Sequence, residues 1–289
     1  MKKLTVLTPA KLNLTLDVLG VNGNFHDIES LVVSINVFDK ITAKERQDGK
    51  ITLLTKGREV DCPVIENNAY KAAKLFVDTF GTTGVDIIVE KNIPVAGGLG
   101  GSSADIAGVL NALNALYGIN GEIELLANDL GSDAAYMLHG GVAVMKGRGE
   151  IIEKSDADRK IYLLLIIEDA QIAARNCYKK FDQKKKHYPA ITQKAERILY
   201  TGDLEQLFPL LKNDLGEAAA ELVPNISHNI FNLKKAGAAN ALVAGSGPTV
   251  YGVFEEKAAR DKAYKTLAAL YGKSLIKAET VVKIDGKFV

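Results

Sequence analysis

The residues Pro94-Val-Ala-Gly-Gly-Leu-Gly-Gly-Ser-Ser-Ala-Asp105 combine the types that most directly suggest chemistry. They lie between a β-branched run, Val85–Val89, and a segment whose apolar residues (Ile106, Val109, Leu110, Leu113, Leu116) repeat with helical spacing. Glycine lets a backbone turn sharply and lets its N–H groups come close to a ligand. A helix N-terminus adds unpaired N–H donors and a partial positive charge. Gly97, Gly98, Leu99, Gly100, Gly101, Ser102 and Ser103 therefore read as a candidate phosphate cradle. Ser102 or Ser103 would cap the helix, and either hydroxyl could touch a phosphate. The plainer reading is a glycine-rich turn with a serine cap. Two common nucleotide loops fail on spacing: a Walker loop ending at Gly272-Lys273-Ser274 would need glycine where Leu267 stands, and a dinucleotide fingerprint from Gly98 would need one at Ser103.

A second glycine loop, Gly245-Ser-Gly-Pro-Thr249, lies between two apolar runs. Alone it reads as a tight strand connection; paired with the first it suggests two backbone surfaces facing one anion. Other polar residues depend on the fold to bring them together. Lys11, in Pro9-Ala-Lys-Leu-Asn13, reads locally as a solvated charge at the start of a strand. Asp133, between Gly131-Ser132 and the apolar Ala134–Leu138, reads locally as a helix N-cap, which aspartate favours. His26 follows the turn Asn22-Gly23-Asn24. His139 and His187 show no metal-ligand spacing, and Lys184–Lys186 reads as a solvated surface.

The 289 residues carry 36 Lys and Arg against 35 Asp and Glu, a net charge of +1, which argues against nucleic acid as a partner. Two cysteines, Cys62 and Cys177, make neither a disulfide framework nor a four-cysteine zinc site. The longest apolar run, Ile161–Ile167, is far short of the ~20 residues of a membrane helix. The expectation is a soluble protein of a reducing cytoplasm with no membrane partner; balanced charge and the lack of heptads leave monomer or weak homodimer open. Length suggests two domains. The polar stretch Glu153–Lys160 is the candidate boundary, giving 1–155 and 156–289. Alternation at Leu12, Leu14, Leu16 and Val18 predicts one strand, and at Leu31, Val33, Ile35 and Val37 another. Further strands are expected at 85–89, 142–145, 161–167, 241–244, 250–254 and 279–284. Helices are expected at 102–117, 122–130, 192–200, 203–221, 226–236 and 257–271. Strands and helices mix without strict alternation, which favours an α+β architecture.

Three segments in this order, Pro9-Ala-Lys-Leu-Asn-Leu14, Pro94–Ser103 and Gly245–Thr249, together resemble the GHMP small-molecule kinases. Gly23–Ser30, Asn67–Ala73, Leu130–Asp133 and Asn213–Leu215 extend the likeness over nearly the whole chain. They point to the branch that phosphorylates the 2-hydroxyl of a cytidine diphosphate-linked methylerythritol in non-mevalonate isoprenoid synthesis. The resemblance implies an N-terminal domain like ribosomal protein S5 domain 2, a ferredoxin-like C-terminal domain, and an active site between them using ATP and Mg²⁺. Carried over by position, Asp133 would be the general base and Lys11 would stabilise the developing charge. Residues 97–103, with Pro94, would wrap the ATP phosphates, and Asn67 and Lys91 would help hold the nucleotide. Phe25 and Tyr178 would stack on the cytosine, His26 would bond its edge, Asn13 would contact the erythritol, and Gly245, Ser246 and Gly247 would border the substrate. The chain departs from the family pattern at Asn24-Phe25 (usually Gly-Tyr), Ser102 (often glycine), Ala135 (usually proline) and Ala173-Ala174 (usually Ser-Thr). A relative acting on another small alcohol or phosphometabolite, or a non-catalytic nucleotide binder, is the alternative.

Overall fold

The computed structural model describes residues 2–23, 25–184 and 188–281. The N-terminal half runs β1 (Lys3–Asn13), β2 (Asp17–Asn22), β3 (Phe25–Glu45), β4 (Ile51–Gly57), α1 (Asn68–Phe80), β5 (Val85–Lys91), α2 (Gly101–Tyr117), α3 (Ile123–Leu130), α4 (Ala134–His139), β6 (Val142–Gly147) and β7 (Ile151–Ser155). The second half runs β8 (Tyr162–Ile166), α5 (Ala174–Gln183), α6 (Thr192–Thr201), α7 (Leu204–Leu207), α8 (Gly216–Leu222), α9 (Asn225–Lys235), β9 (Asn240–Val243), β10 (Val250–Phe254), α10 (Lys257–Tyr271) and β11 (Leu275–Val281). The mixture of sheet and packed helices is the α+β arrangement expected.

The long strand β3 organises the molecule. It pairs antiparallel with β1, β2, β5 and β6 at different points along its length. It also meets β11 at Thr280↔Ile35 and Val281↔Ser34, so the sheet continues from the N-terminal half into β8, β10 and β9. One hydrophobic core cluster accordingly mixes residues of both halves, among them Leu12, Ile35, Leu163 and Tyr251. The helix α2 lies against β1 and β3, and Gly108 is what lets it come so close. A Cβ there would stand 2.6 Å from Ile41 Cγ1.

Several expectations are corrected. The alternation at 12–18 is not one strand: β1 ends at Asn13, and Leu14 N donates instead to Leu31 O at 2.8 Å. Nor is its polar side solvated. Lys11, Asn13 and Thr15 are as buried as Leu12, Leu14 and Leu16. The helix expected at 203–221 breaks into α7, a short 3₁₀ turn containing Pro209, and α8. Proline has no N–H to continue the ladder. The released segment bonds to the stretch between β1 and β2 (Leu16 N to Lys212 O and Asp214 N to Leu16 O, both 2.9 Å), and Asp214 Oδ2 accepts from Val18 N. The helices α1 and α5 and the strands β4 and β7 were not foreseen. The last strand begins at Leu275, four residues before the expected start, and residues 282–284 of the expected span lie outside the described residues. So do Asn24, Lys185, Lys186 and His187.

Candidate active site

The strand β1 carries Lys11 and Asn13 into the interior beside the first glycine loop. Its backbone is tied there, Lys11 N donating to Leu99 O at 3.0 Å. Lys11 Nζ donates to Asn13 Oδ1 at 2.7 Å and lies 3.2 Å from Asp133 Oδ2. The lysine side chain is 7% exposed, and Asp133 is 29% exposed. Lys11 is thus no solvated surface charge. Asp133 stands at the N-cap position of α4 but makes no side-chain cap bond, so its carboxylate is free to face Lys11. Asn13 is fixed from both ends: its Nδ2 donates to Ser30 Oγ at 2.7 Å, and its backbone oxygen accepts from Tyr251 OH at 2.7 Å. A buried side-chain network satisfied this way holds its polar groups in one geometry.

The glycine loops meet over this pair. In the first, Ala96, Gly98 and Gly100 all adopt positive φ (53°, 79° and 72°). Gly98 is pressed against Ala244 O, and a Cβ on it would also come within 3.2 Å of Gly247 N. Gly97 abuts the side chain of Thr249, and Gly100 rests on the Lys11 stem and the Met137 methyl. From the second loop, a Cβ on Gly245 would lie 3.3 Å from Gly98 O, 3.5 Å from Asn13 Oδ1 and 3.7 Å from Lys11 Nζ. Gly245 and Gly247 are buried and Ser246 is partly exposed. Only the backbone of Leu99 serves the loop, since its side chain is in the core. The N-cap position of α2 is Gly100, with no side-chain cap bond, so neither serine caps the helix. Ser102 instead accepts a hydrogen bond from Asn68 Nδ2. Because Gly100 can adopt a left-handed conformation, the chain enters the helix without a capping side chain.

On the outer side of the loop is a cavity of about 200 Å³ bordered by Asn67, Lys91, Pro94, Ser102 and Asp105, with Val60 and Val95 as apolar wall. The side chain of Asn67 is already engaged as the cap of α1, its Oδ1 accepting from Ala69 N at 2.9 Å. The ammonium of Lys91 is buried between Asp39 and Asp105. Burial pushes the Asp105 carboxyl up to about 7, against the pull of Lys91.

A group of aromatic residues lies near Asp133, whose charge reaches Tyr178. The rings of His26 and Tyr178 stack with centroids 4.6 Å apart, and His26 Nε2 lies 2.7 Å from Asp182 Oδ1. Burial, and secondarily the charge of Asp133, hold the Tyr178 phenol above its usual range. Phe25 is 54% exposed and lies under the Arg148 guanidinium, 4.8 Å from the ring centroid. Arg148 sits in the turn between β6 and β7, where Gly149 approaches Asp133 Oδ1 (3.5 Å from a Cβ built on Gly149). Sequence reasoning missed Arg148, whose one local signal is the flanking Gly147 and Gly149. It also missed Ser30, Asp39, Asp182 and Tyr251, which carry no local signal, and assigned no role to Asp105 although it closes the glycine-rich motif. Ala173 precedes α5 and makes no cap bond, as a residue without a hydroxyl must.

The geometry brings together a lysine–carboxylate pair, two backbone loops able to hold phosphates, and a facing aromatic group. Family models agree with it in sequence. "GHMP kinases N terminal domain" matches residues 67–143, and "GHMP kinases C terminal" matches 195–273. The 4-diphosphocytidyl-2-C-methyl-D-erythritol kinase of Lachnoclostridium phytofermentans is 37% identical over 273 residues, 91% of this chain and 92% of that one. The same-named kinase of Macrococcus caseolyticus is 32% identical over 250 residues, 85% and 88% of the two chains. A crystal structure of 4-(cytidine 5'-diphospho)-2C-methyl-D-erythritol kinase superposes with a TM-score of 0.81 at 27% identity, over 96% of this chain and 98% of that chain. Homoserine kinase from Cytophaga hutchinsonii, 18% identical with a TM-score of 0.76 over 100% and 98% of the chains, shares the fold.

Proposed function

The chain belongs to the GHMP kinases and is an ATP-dependent small-molecule kinase, and we propose that it transfers the γ-phosphoryl group of ATP to the 2-hydroxyl of 4-diphosphocytidyl-2-C-methyl-D-erythritol. The observation that carries the catalytic reading is the Lys11–Asp133 pair, 3.2 Å apart and roofed by two touching glycine loops. Phosphoryl transfer asks the protein mainly for positioning and charge stabilisation. In this reading residues 97–103 surround the phosphates with backbone N–H groups at the start of α2, and Pro94, which has no N–H, borders them as part of the cavity wall. Asn67 borders the nucleotide, and Lys91 acts through the loop above it. The carboxylate of Asp133 accepts the proton of the attacking hydroxyl, and Lys11 neutralises the oxygen's developing charge.

The alcohol enters from the aromatic side. Phe25 and Tyr178 offer faces for a flat base, and His26, oriented by Asp182, offers a ring nitrogen to its edge. Asn13 faces the polyol, and Gly245, Ser246 and Gly247 line its approach. Phe25 keeps the ring that stacking needs, so the absent hydroxyl does not count against this substrate. Among the described residues no group of three or more His, Cys, Asp or Glu side chains could cage a metal. A Mg²⁺ would therefore arrive on the nucleotide and would supply neutralisation of the phosphate charge beside residues 97–103.

We place the division of the chain at Ser155, the end of β7, and its working compartment in the reducing cytoplasm, in keeping with two free thiols. Among the described residues no helix is long and apolar enough to cross a membrane. ADP release measured against a panel of alcohols tests the substrate. Turnover with the cytidyl substrate alone supports it, and turnover only with a different alcohol refutes it.

A further inference from the structure

Beneath the first glycine loop lies a buried charge cluster that the proton and phosphoryl transfers do not use. Lys91, at the end of β5, is 4% exposed; Asp39, on β3, is 0% exposed; Asp105, in α2, is 9% exposed. An ammonium has three N–H donors. Here they have three acceptors: Asp39 Oδ2, Asp105 Oδ2 at 2.8 Å and the backbone oxygen of Gly101 at 3.2 Å. None is left for a phosphate. The other oxygen of Asp39, Oδ1, accepts from Asn92 N at 2.6 Å and Ile93 N at 2.8 Å. One cluster therefore grips the entrance of the glycine loop at Asn92 and Ile93 and its exit at Gly101. It also anchors the second turn of the helix whose N-terminus faces the phosphates.

We propose that Asp39, Lys91 and Asp105 are positioning residues that clamp both ends of the phosphate loop, so that Lys91 serves ATP through the backbone it holds and not as a phosphate ligand. This rests on the reading of residues 97–103 as the phosphate cradle. The cluster is poorly built for stability alone. Two buried carboxylates share one ammonium, and Asp105 Oδ1 has no hydrogen-bond partner among the described residues. Such an arrangement opposes folding unless its geometry is needed. What it supplies is two fixed ends for a loop whose own glycines allow it many conformations.

The test uses the full chain with Lys91→Met, Lys91→Arg and Asp105→Ala, read by amide hydrogen exchange over residues 93–101 without nucleotide and by steady-state kinetics. A clamp predicts that Lys91→Met speeds exchange in that segment by about tenfold or more before any ATP is added. It also predicts a rise of about tenfold or more in KM for ATP, with KM for the alcohol within about twofold. Lys91→Arg, which can still bridge both carboxylates, should recover most of both losses. Unchanged exchange together with a raised KM for ATP would make Lys91 a direct ligand and overturn the clamp. If Lys91→Met does not fold, Asp105→Ala decides by the same two readouts, since it leaves Asp39 and Lys91 as a neutral pair. A native chain that fails to bind ATP withdraws the cradle reading and the clamp with it. Normal ATP binding with unaltered loop exchange in the variants removes the clamp alone.

Discussion

Asp133→Asn exchanges a carboxylate oxygen for an amide at a position where Lys11 Nζ stands 3.2 Å away. The shapes match, and no cap bond to α4 is lost, because Asp133 makes none. What disappears is a proton acceptor and the counter-charge of Lys11. A positioned general base contributes roughly 10²- to 10⁴-fold, so kcat should fall by about that factor. Unit charges 3.2 Å apart attract by about 5 kcal/mol at an effective dielectric of about 20. Asp133 is 29% exposed and Lys11 keeps its bond to Asn13, so the net loss of stability should be nearer 1–2 kcal/mol. For a chain of this size that lowers Tm by about 2–3 °C. With the triphosphate on the loop backbone, as proposed, the substitution removes none of its contacts, so ATP affinity should stay within about threefold, well under 1 kcal/mol. Coupled ADP release gives kcat and KM, calorimetric titration gives the ATP Kd, and thermal unfolding gives Tm. Turnover within about threefold of the native chain would refute the general-base role, because no uncharged amide can accept that proton.

Phe25→Ala removes an exposed ring under Arg148. Loss of one stacked face is worth roughly 1–3 kcal/mol, so KM for the alcohol should rise about 5- to 150-fold with ATP affinity kept; a fall in ATP affinity instead would assign the ring to the nucleotide. Gly98→Ala drives a methyl into Ala244 O at a φ of 79°. The two loops must part, and KM for ATP should rise by about tenfold or more while the alcohol's KM moves less. Equal losses for both substrates would mean the loops do not act separately. Asp105 is pushed up to about 7 in the folded chain, so that chain binds more protons than the unfolded one between about pH 4 and pH 7. Stability from this group is therefore lost as pH rises through that window. Asp105→Asn should be more stable than the native chain at pH 8, with the difference in Tm shrinking toward pH 4. A difference that grows on acidification would contradict the buried, partly protonated carboxyl.

Much of the chemistry was legible because it is local. Glycines at 97, 98, 100 and 101 before a helical repeat mark a tight entry into a helix whatever surrounds it, and the structure starts α2 at Gly101. The spans of α10 and β10 coincide with their expected limits, since apolar periodicity is written in neighbouring residues. Lys11 and Asp133 could be singled out as residue types, but locally they read as a solvated charge and a helix cap. Only the packing of β1, α4 and the second glycine loop makes them a pair. The failures have the same origin. The run at 203–221 has helical composition, yet its middle answers to Leu16 and Val18, some two hundred residues earlier in the chain, where backbone groups needed partners. Asp39, Lys91 and Asp105 show nothing by spacing, because a buried ion cluster is defined by three elements converging in a low-dielectric interior. Periodicity and turn chemistry act over a few residues, so the sequence by itself determined the glycine loops and most, not all, of the helices and strands, and its family resemblance named Lys11 with Asp133; charge pairing and burial act through space, so the tertiary structure alone decided how closely that pair meets and which buried partners hold it.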